Sequence, residues 1–403
     1  MKKIPFSPPH IDEETISLVT RALQSGWITT GPMVRELESL ITEYTGAKRT
    51  LCLNSWTNAV ELVLRWFGVG PGDEVIIPAY TYAATANIVE HTGAKPVVVD
   101  SSESDFLADV EAIRRAISSR TKVIMPVDIG GMPVNYEHIM QIARDAAVLF
   151  HPGSEHQEML GRPLVISDAA HSFGARVNGK VTGNNTDVMG FSFHAVKNLT
   201  TAEGGALTLQ LPAPFNNDEI WRSLSISALH GQTKDALSKS QAGQWEYDII
   251  EAGYKCNMTD VHAAIGIAGF RKYESHILPR RKSICERYDK FFMQYPDIIR
   301  PSLNDGNRES SYHLYMIRIT GASEAQRNDI IKRVAEEGIS TNVHFQPLPR
   351  LSYYKKKGLQ EAMFPNAMAH FNHEISLPVY FDLTDEDVDM VCQSVVKAKQ
   401  EVM

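Results

Sequence analysis

The chain has 403 residues, 43% hydrophobic and 22% charged, with a formal net charge of −8 and a pI near 6.0. Such a composition excludes a disordered or low-complexity chain and leaves volume for a large core. No basic block stands out, which argues against nucleic-acid binding, and no run approaches the roughly 20 apolar residues that span a bilayer.

The N-terminus, from Met1 to Pro9, has two lysines but no apolar stretch behind them, so no secretory leader is expected. Cys52, Cys256, Cys285 and Cys392 show no Cys-x-x-Cys spacing, the pattern of reduced thiols in a soluble cytoplasmic protein. The short runs Arg280-Arg281-Lys282 and Lys355-Lys356-Lys357 read as solvated helix or loop faces.

In chain order, Glu13 to Gln24 and Val34 to Tyr44 carry apolar residues at helical spacing. From residue 50 strands and helices alternate. Thr50–Leu53, Glu74–Ile77, Pro96–Val99 and Lys122–Met125 read as strands; Asn58–Phe67, Thr81–Glu90 and Val110–Ile117 read as helices. Phe150–Pro163 is polar and unpatterned, and reads as an inserted surface loop. Strands are then expected at Leu164–Ser167, Val188–Phe193 and Ala206–Leu209, and a long helical stretch at Val261–Tyr288. Tyr312–Arg318 alternates as a half-buried strand, and Asn328–Glu337 and Asp385–Val402 read as helices. Continuous apolar strands alternating with helices predict an α/β domain whose central sheet is mostly parallel and covered on both faces. The expected division is a large domain over 1–255, with the N-terminal helices, and a smaller C-terminal α+β domain over 256–403.

Four places could carry chemistry. Asp168 ends an apolar strand, where open α/β sheets bind ligands, although aspartate there also suits a helix N-cap. Lys197 follows another strand and precedes Gly204-Gly205, whose missing side chains let the backbone pass close to a neighbour. A lysine in such a turn is commonly solvated, yet a partly desolvated amine is what a Schiff base with an aldehyde requires. Asn54-Ser55-Trp56-Thr57-Asn58 joins a strand to a helix, and hydroxyls with free N–H groups at a helix start bind phosphate or simply cap the helix. Tyr82 follows a strand and could lie over a flat ring or belong to the core. No metal-ligand spacing, nucleophile elbow or Walker loop is present.

Together, Gly26-Trp27-Ile28-Thr29-Thr30-Gly31-Pro32, Asp168-Ala169-Ala170-His171, Ser192-Phe193-His194 with Lys197, Glu203-Gly204-Gly205, Gly253-Tyr254, Met258-Thr259-Asp260 and Val343-His344-Phe345 resemble the DegT/DnrJ/EryC1/StrS sugar aminotransferases. These are fold-type I enzymes dependent on pyridoxal 5′-phosphate (PLP), and the resemblance covers nearly the whole chain. It implies that Lys197 binds the cofactor covalently and moves the substrate proton, that Asp168 pairs with the ring nitrogen, and that His171 sits by the phenolic oxygen. It further implies that Ser55, Trp56, Thr57 and Ser192 hold the phosphate, that Tyr82 stacks on the ring, and that His344 and Phe345 meet substrate. The implied reaction carries an amino group from an amino acid, glutamate above all, to a keto group of a nucleotide-linked sugar, in polysaccharide or antigen biosynthesis. A homodimer with shared sites is implied, Lys255 or Asn257 reaching the neighbouring cofactor. The alternatives are other PLP chemistry, such as a sugar dehydratase or an amino-cyclitol transaminase, and a non-catalytic PLP-binding regulator. Two departures stand out: Trp56 occupies the middle of what is usually Ser-Gly-Thr, implying a bulky wall near the phosphate, and Lys255-Cys256 separates Gly253-Tyr254 from Asn257.

Overall fold

The computed structural model describes residues 2–234 and 246–403. Helices α1 (Glu13–Gln24) and α2 (Pro32–Thr45) lead into β1 (Arg49–Leu53), α3 (Trp56–Trp66), β2 (Glu74–Pro78), α4 (Ala83–Thr92), β3 (Lys95–Val99), α5 (Val110–Ala116) and β4 (Thr121–Ile124). Next come α6 (Tyr136–Asp145), α7 (Glu155–Leu160), β5 (Leu164–Asp168), the short β6 (Arg176–Val177) and β7 (Lys180–Val181), β8 (Val188–Ser192), β9 (Gly205–Leu209) and α8 (Asn217–Ser227). The chain continues through α9 (Asp260–Arg271), α10 (Leu278–Phe292), β10 (Ile298–Ile299), β11 (Arg308–Glu309), β12 (Tyr315–Ile319) and α11 (Glu324–Glu336). It ends with α12 (Ser352–Lys356), α13 (Pro365–His373), β13 (Glu374–Leu377) and α14 (Asp385–Val402).

Seven strands pair in the order β1-β9-β8-β5-β4-β2-β3, and β9 alone runs against its neighbours. Successive strand residues enter different cores. Ile76, Ile124, Val165 and Met189 join the cluster under α1, α2, α6 and α9, whereas Val75, Val123, Ile166 and Val188 join the one under α3, α4 and α8. Both faces are therefore covered, which explains why these strands read as unbroken apolar runs. A second antiparallel sheet, β10-β12-β13, packs beneath α11, α13 and α14 toward the C-terminus. The architecture is the α/β one expected, with a mostly parallel central sheet.

Four local expectations need correction. The run Arg280-Arg281-Lys282 is not a solvated face throughout, since Arg281 is 3% exposed. The stretch Val261–Tyr288 is not one helix: a π-turn at Tyr273–Ile277 separates α9 from α10. Pro279 lies just inside α10, and a proline there has no N–H and clashes with the carbonyl four residues back, so the register widens. The strand expected from Tyr312 begins only at Tyr315. The buried Arg281 guanidinium binds the carbonyls of Tyr312 (3.0 Å) and His313 (2.6 Å), and Tyr312 sits at a φ of 56°, off the ladder. Phe150–Pro163 is not an unpatterned loop but carries α7, capped by Ser154. Buried Gln157 donates to the Phe67 carbonyl (3.0 Å), fastening α7 to the end of α3.

Candidate active site

The C-terminal ends of β1, β2, β5 and β8 open into one cavity of about 350 Å³, lined by Ser55, Trp56, Thr57, Tyr82, Asp168, His171, Ser192, Lys197, His344 and Phe345. Ten of the positions singled out from sequence thus meet in one place.

Asp168 is the last residue of β5 and is 5% exposed. No helix follows it, so the capping role drops out. Its Oδ2 accepts from Thr85 Oγ1 (2.9 Å) and its Oδ1 from the Ala170 N–H (3.2 Å). The single Thr85 proton goes to Asp168, so Thr81, 2.8 Å from Thr85, must be the donor in that pair. Burial pushes the Asp168 carboxyl up to about 7, against the pull of these donors and of Lys197. A cation placed against it would favour the ionised form.

Lys197 lies in the turn after β8, its N–H bound to the His194 carbonyl (2.9 Å). Its amine faces the same cavity, where burial brings its pKa down to about 8 while Asp168 opposes the shift. An amine so poised is unprotonated often enough to attack a carbonyl near neutral pH.

His171 receives the Gly130 N–H on Nδ1 (3.2 Å), so its own proton resides on Nε2. Burial and Lys197 hold it well below the usual histidine range, as a neutral ring. A second imidazole, His313, lies 4.5 Å away between ring centroids. Asn198 Nδ2 donates to the Ser311 carbonyl (2.7 Å), which turns Oδ1 toward His313 Nδ1 (2.9 Å) and makes that nitrogen the donor. Sequence reasoning missed Thr85 and His313, which line the cavity, and Asn198, which holds His313 from behind, because only the folded chain brings them together.

At the other end of the cavity Ser55 caps α3, accepting from the Asn58 N–H (3.1 Å). The N–H groups of Trp56 and Thr57 lie in the first turn, with no acceptor inside the helix. A Cβ on Gly205 would come within 2.4 Å of the Trp56 nitrogen, so glycine is what lets the start of β9 lie against this turn. Ser192 adds a hydroxyl from the end of β8. The Trp56 indole is 5% exposed and packs into the core, where a Cβ on Gly190 would meet Nε1 at 2.8 Å. The bulky residue therefore supports the cradle from beneath. Tyr82 caps α4 at the mouth, 64% exposed, its ring 5.6 Å from Phe345, which in turn lies 5.6 Å from His171.

Lys255 and Asn257 do not line this cavity. Lys255 donates to Asn257, which donates to Thr30 Oγ1 (2.7 Å) at the edge of a separate depression of about 320 Å³. Among the described residues, no cluster of histidine, cysteine, aspartate and glutamate could hold a metal ion, and no helix is long and apolar enough to cross a membrane.

A buried carboxylate, a desolvated amine and an anion cradle around one cavity bordered by Tyr82, His171 and Phe345 fit the nitrogen, aldehyde and phosphate of pyridoxal phosphate. On this sheet they define a fold-type I PLP-dependent enzyme. The chain belongs to the DegT/DnrJ/EryC1/StrS aminotransferase family, whose profile matches residues 9–396. It is 35% identical over 396 residues to the spore coat polysaccharide biosynthesis protein SpsC of Bacillus subtilis, covering 97% of this chain and 96% of that one. The putative sugar aminotransferase Spr1654 of Streptococcus pneumoniae, in its PMP form, superposes with a TM-score of 0.96 at 44% identity, covering 99% of this chain and 100% of that one. Its PLP form gives 0.95 at 42% identity, with both chains covered in full (100%). Helicobacter pylori PseC, an aminotransferase involved in the biosynthesis of pseudoaminic acid, gives 0.87 at 25% identity, covering 99% and 100%.

Proposed function

We propose that this enzyme transfers an amino group from glutamate to a keto group of a nucleotide-linked sugar, in cytoplasmic polysaccharide biosynthesis. The observation that carries the reading is the shared cavity of Asp168 and Lys197, with an anion cradle at one end. Its kinship with SpsC and Spr1654 supports the sugar substrate.

Bound PLP supplies an electron sink for the carbon that loses its proton. The protein does the rest. Asp168, once paired with the ring nitrogen, stays ionised and keeps that nitrogen protonated. The α3 N-terminus, Ser55 and Ser192 fix the phosphate, and Trp56 supports them from the core side. Tyr82 stacks on the ring at the mouth, and His171 donates its Nε2 proton to the phenolic oxygen. Lys197 anchors the cofactor, then moves a proton on and off the reacting carbon. His344 and Phe345 border the substrate. A homodimer completes the site, with Lys255 or Asn257 reaching the cofactor of the neighbouring subunit.

Spectroscopy tests this. The purified enzyme is expected to be yellow, with a band that borohydride bleaches, that Lys197→Ala abolishes and that glutamate converts. A reducible band persisting in Lys197→Ala would overturn the lysine assignment. An unchanged band with glutamate would overturn the amino donor.

A further inference from the structure

His344 reaches the cavity from a segment held against the small sheet: Asn342 and Ser376 exchange backbone hydrogen bonds (3.1 and 2.8 Å). This places the His344 ring over β13. Its Nδ1 lies 2.8 Å from Ser376 Oγ, and Ser376 Oγ is hydrogen-bonded to Glu374 Oε1. The other carboxyl oxygen, Oε2, accepts the His344 backbone N–H (3.0 Å). Ser376 and Glu374 are both 0% exposed. His344 Nε2 has no partner among the described residues, and the residue lines the cavity with Lys197.

A buried carboxyl two bonds behind a cavity imidazole needs an explanation. Arg327 favours the ionised form of Glu374 through its charge but makes no ion pair with the carboxyl: its Nη1 goes to the Phe371 (2.8 Å) and Glu374 (2.7 Å) carbonyls. Glu374 in turn opposes ionisation of the buried Tyr80 nearby. We propose that His344, Ser376 and Glu374 form a proton relay that exchanges a proton with a substrate oxygen without charging the imidazole. It rests on the aminotransferase reading above.

The exchange balances. In one direction the Glu374 carboxyl gives its proton to Ser376 Oγ, Ser376 gives its own to His344 Nδ1, and Nε2 releases a proton to the substrate oxygen. The imidazole changes tautomer but stays neutral, Glu374 becomes a carboxylate, and the oxygen gains one proton. The reverse runs through the same atoms. Replacing a carbonyl oxygen by nitrogen, or the opposite, expels or adds water and needs this proton movement. A simple histidine acid would fail here, since burial and Lys197 hold His344 down at about 3, whereas burial raises Glu374 to about 8 and makes both of its states accessible. His344 touches substrate; Ser376 and Glu374 act through it as positioning residues.

The test follows conversion of glutamate to released 2-oxoglutarate in rapid mixing, the step that adds water, with the holoenzyme, Ser376→Ala, Glu374→Gln and the double variant. Each single change is expected to keep the band and the apparent glutamate Kd, and to slow conversion about a hundredfold. The double variant should be no slower than the slower single one, because one broken link already stops a relay. Conversion by both single variants within about twofold of the parent overturns the relay. So does a slow variant whose Kd or cofactor band changes in proportion, which marks structural support, and so do multiplicative losses. If the parent itself does not respond to glutamate, the aminotransferase reading fails, a result distinct from any of these.

Discussion

In the proposed role Asp168 must stay ionised in an environment that disfavours charge, and Thr85 is the side chain that helps it most directly. The Thr85 hydrogen bond lowers the Asp168 pKa, against the burial that raises it. Thr85→Val keeps the shape of the side chain and removes the donor, so the carboxyl titrates at a higher pH. Activity that needs the carboxylate is then lost sooner as the solution is acidified, and the acid limb of the kcat/KM profile moves upward. A buried hydrogen bond to a charged group is lost and Thr81 is left without its acceptor, so stability should fall by about 1–3 kcal/mol, read by calorimetry. An unmoved acid limb would show that Thr85 has no hold on Asp168. Thr85 and Glu374 also mark where the sequence stops being informative. Asp168 and Lys197 stand out because the chemistry demands those residue types at strand ends. A threonine within a helix, or a glutamate opening a short strand, has no such signature until folding sets it against another segment.

At the scale of elements, the anion cradle is a meeting of β9 with the first turn of α3. A Cβ at Gly205 would face the Trp56 nitrogen at 2.4 Å, the Ser55 carbonyl carbon at 2.5 Å and the Phe191 oxygen at 2.9 Å. All three are backbone atoms in ordered elements, so none can swing aside. Gly205→Ala must therefore push α3 away from β9, at a cost of about 1–3 kcal/mol or more. Weaker PLP binding is expected in a cofactor titration, with the helix N-terminus displaced from the phosphate. Unchanged affinity would mean that the cradle tolerates the shift. The Gly204-Gly205 pair was legible as a close-approach signal, and so were the strands, since two-sided burial leaves unbroken apolar runs. The starts of elements were less so. Tyr312–Leu314 alternates like the strand it precedes, but Arg281, distant in sequence, pulls its carbonyls off the ladder. The helix in Phe150–Pro163 was hidden because it is only six residues long and fastens to α3 through a buried glutamine, with little apolar pattern to read.

At the scale of the whole molecule, Lys255 and Asn257 lie outside the cavity of their own chain, bonded to one another and to Thr30. Yet the Asn54 N–H binds the Cys256 carbonyl (2.8 Å), so their segment runs beside the strand that leads into the anion cradle. A second subunit set against this face would bring the two side chains toward its own cradle, and the proposed homodimer makes a definite prediction for mixed variants. Lys197→Ala and Asn257→Ala chains are each expected to be impaired as homodimers. In a heterodimer, the Asn257→Ala chain supplies an intact Lys197 and receives an intact Asn257 from its partner, so one site in two is whole. Mixing after reversible dissociation should restore activity toward half that of the parent for each heterodimer formed. If each site were built from a single chain, every site in the mixture would keep one defect, and no activity would return. Repeating the experiment with Lys255→Ala decides which of the two side chains crosses the interface.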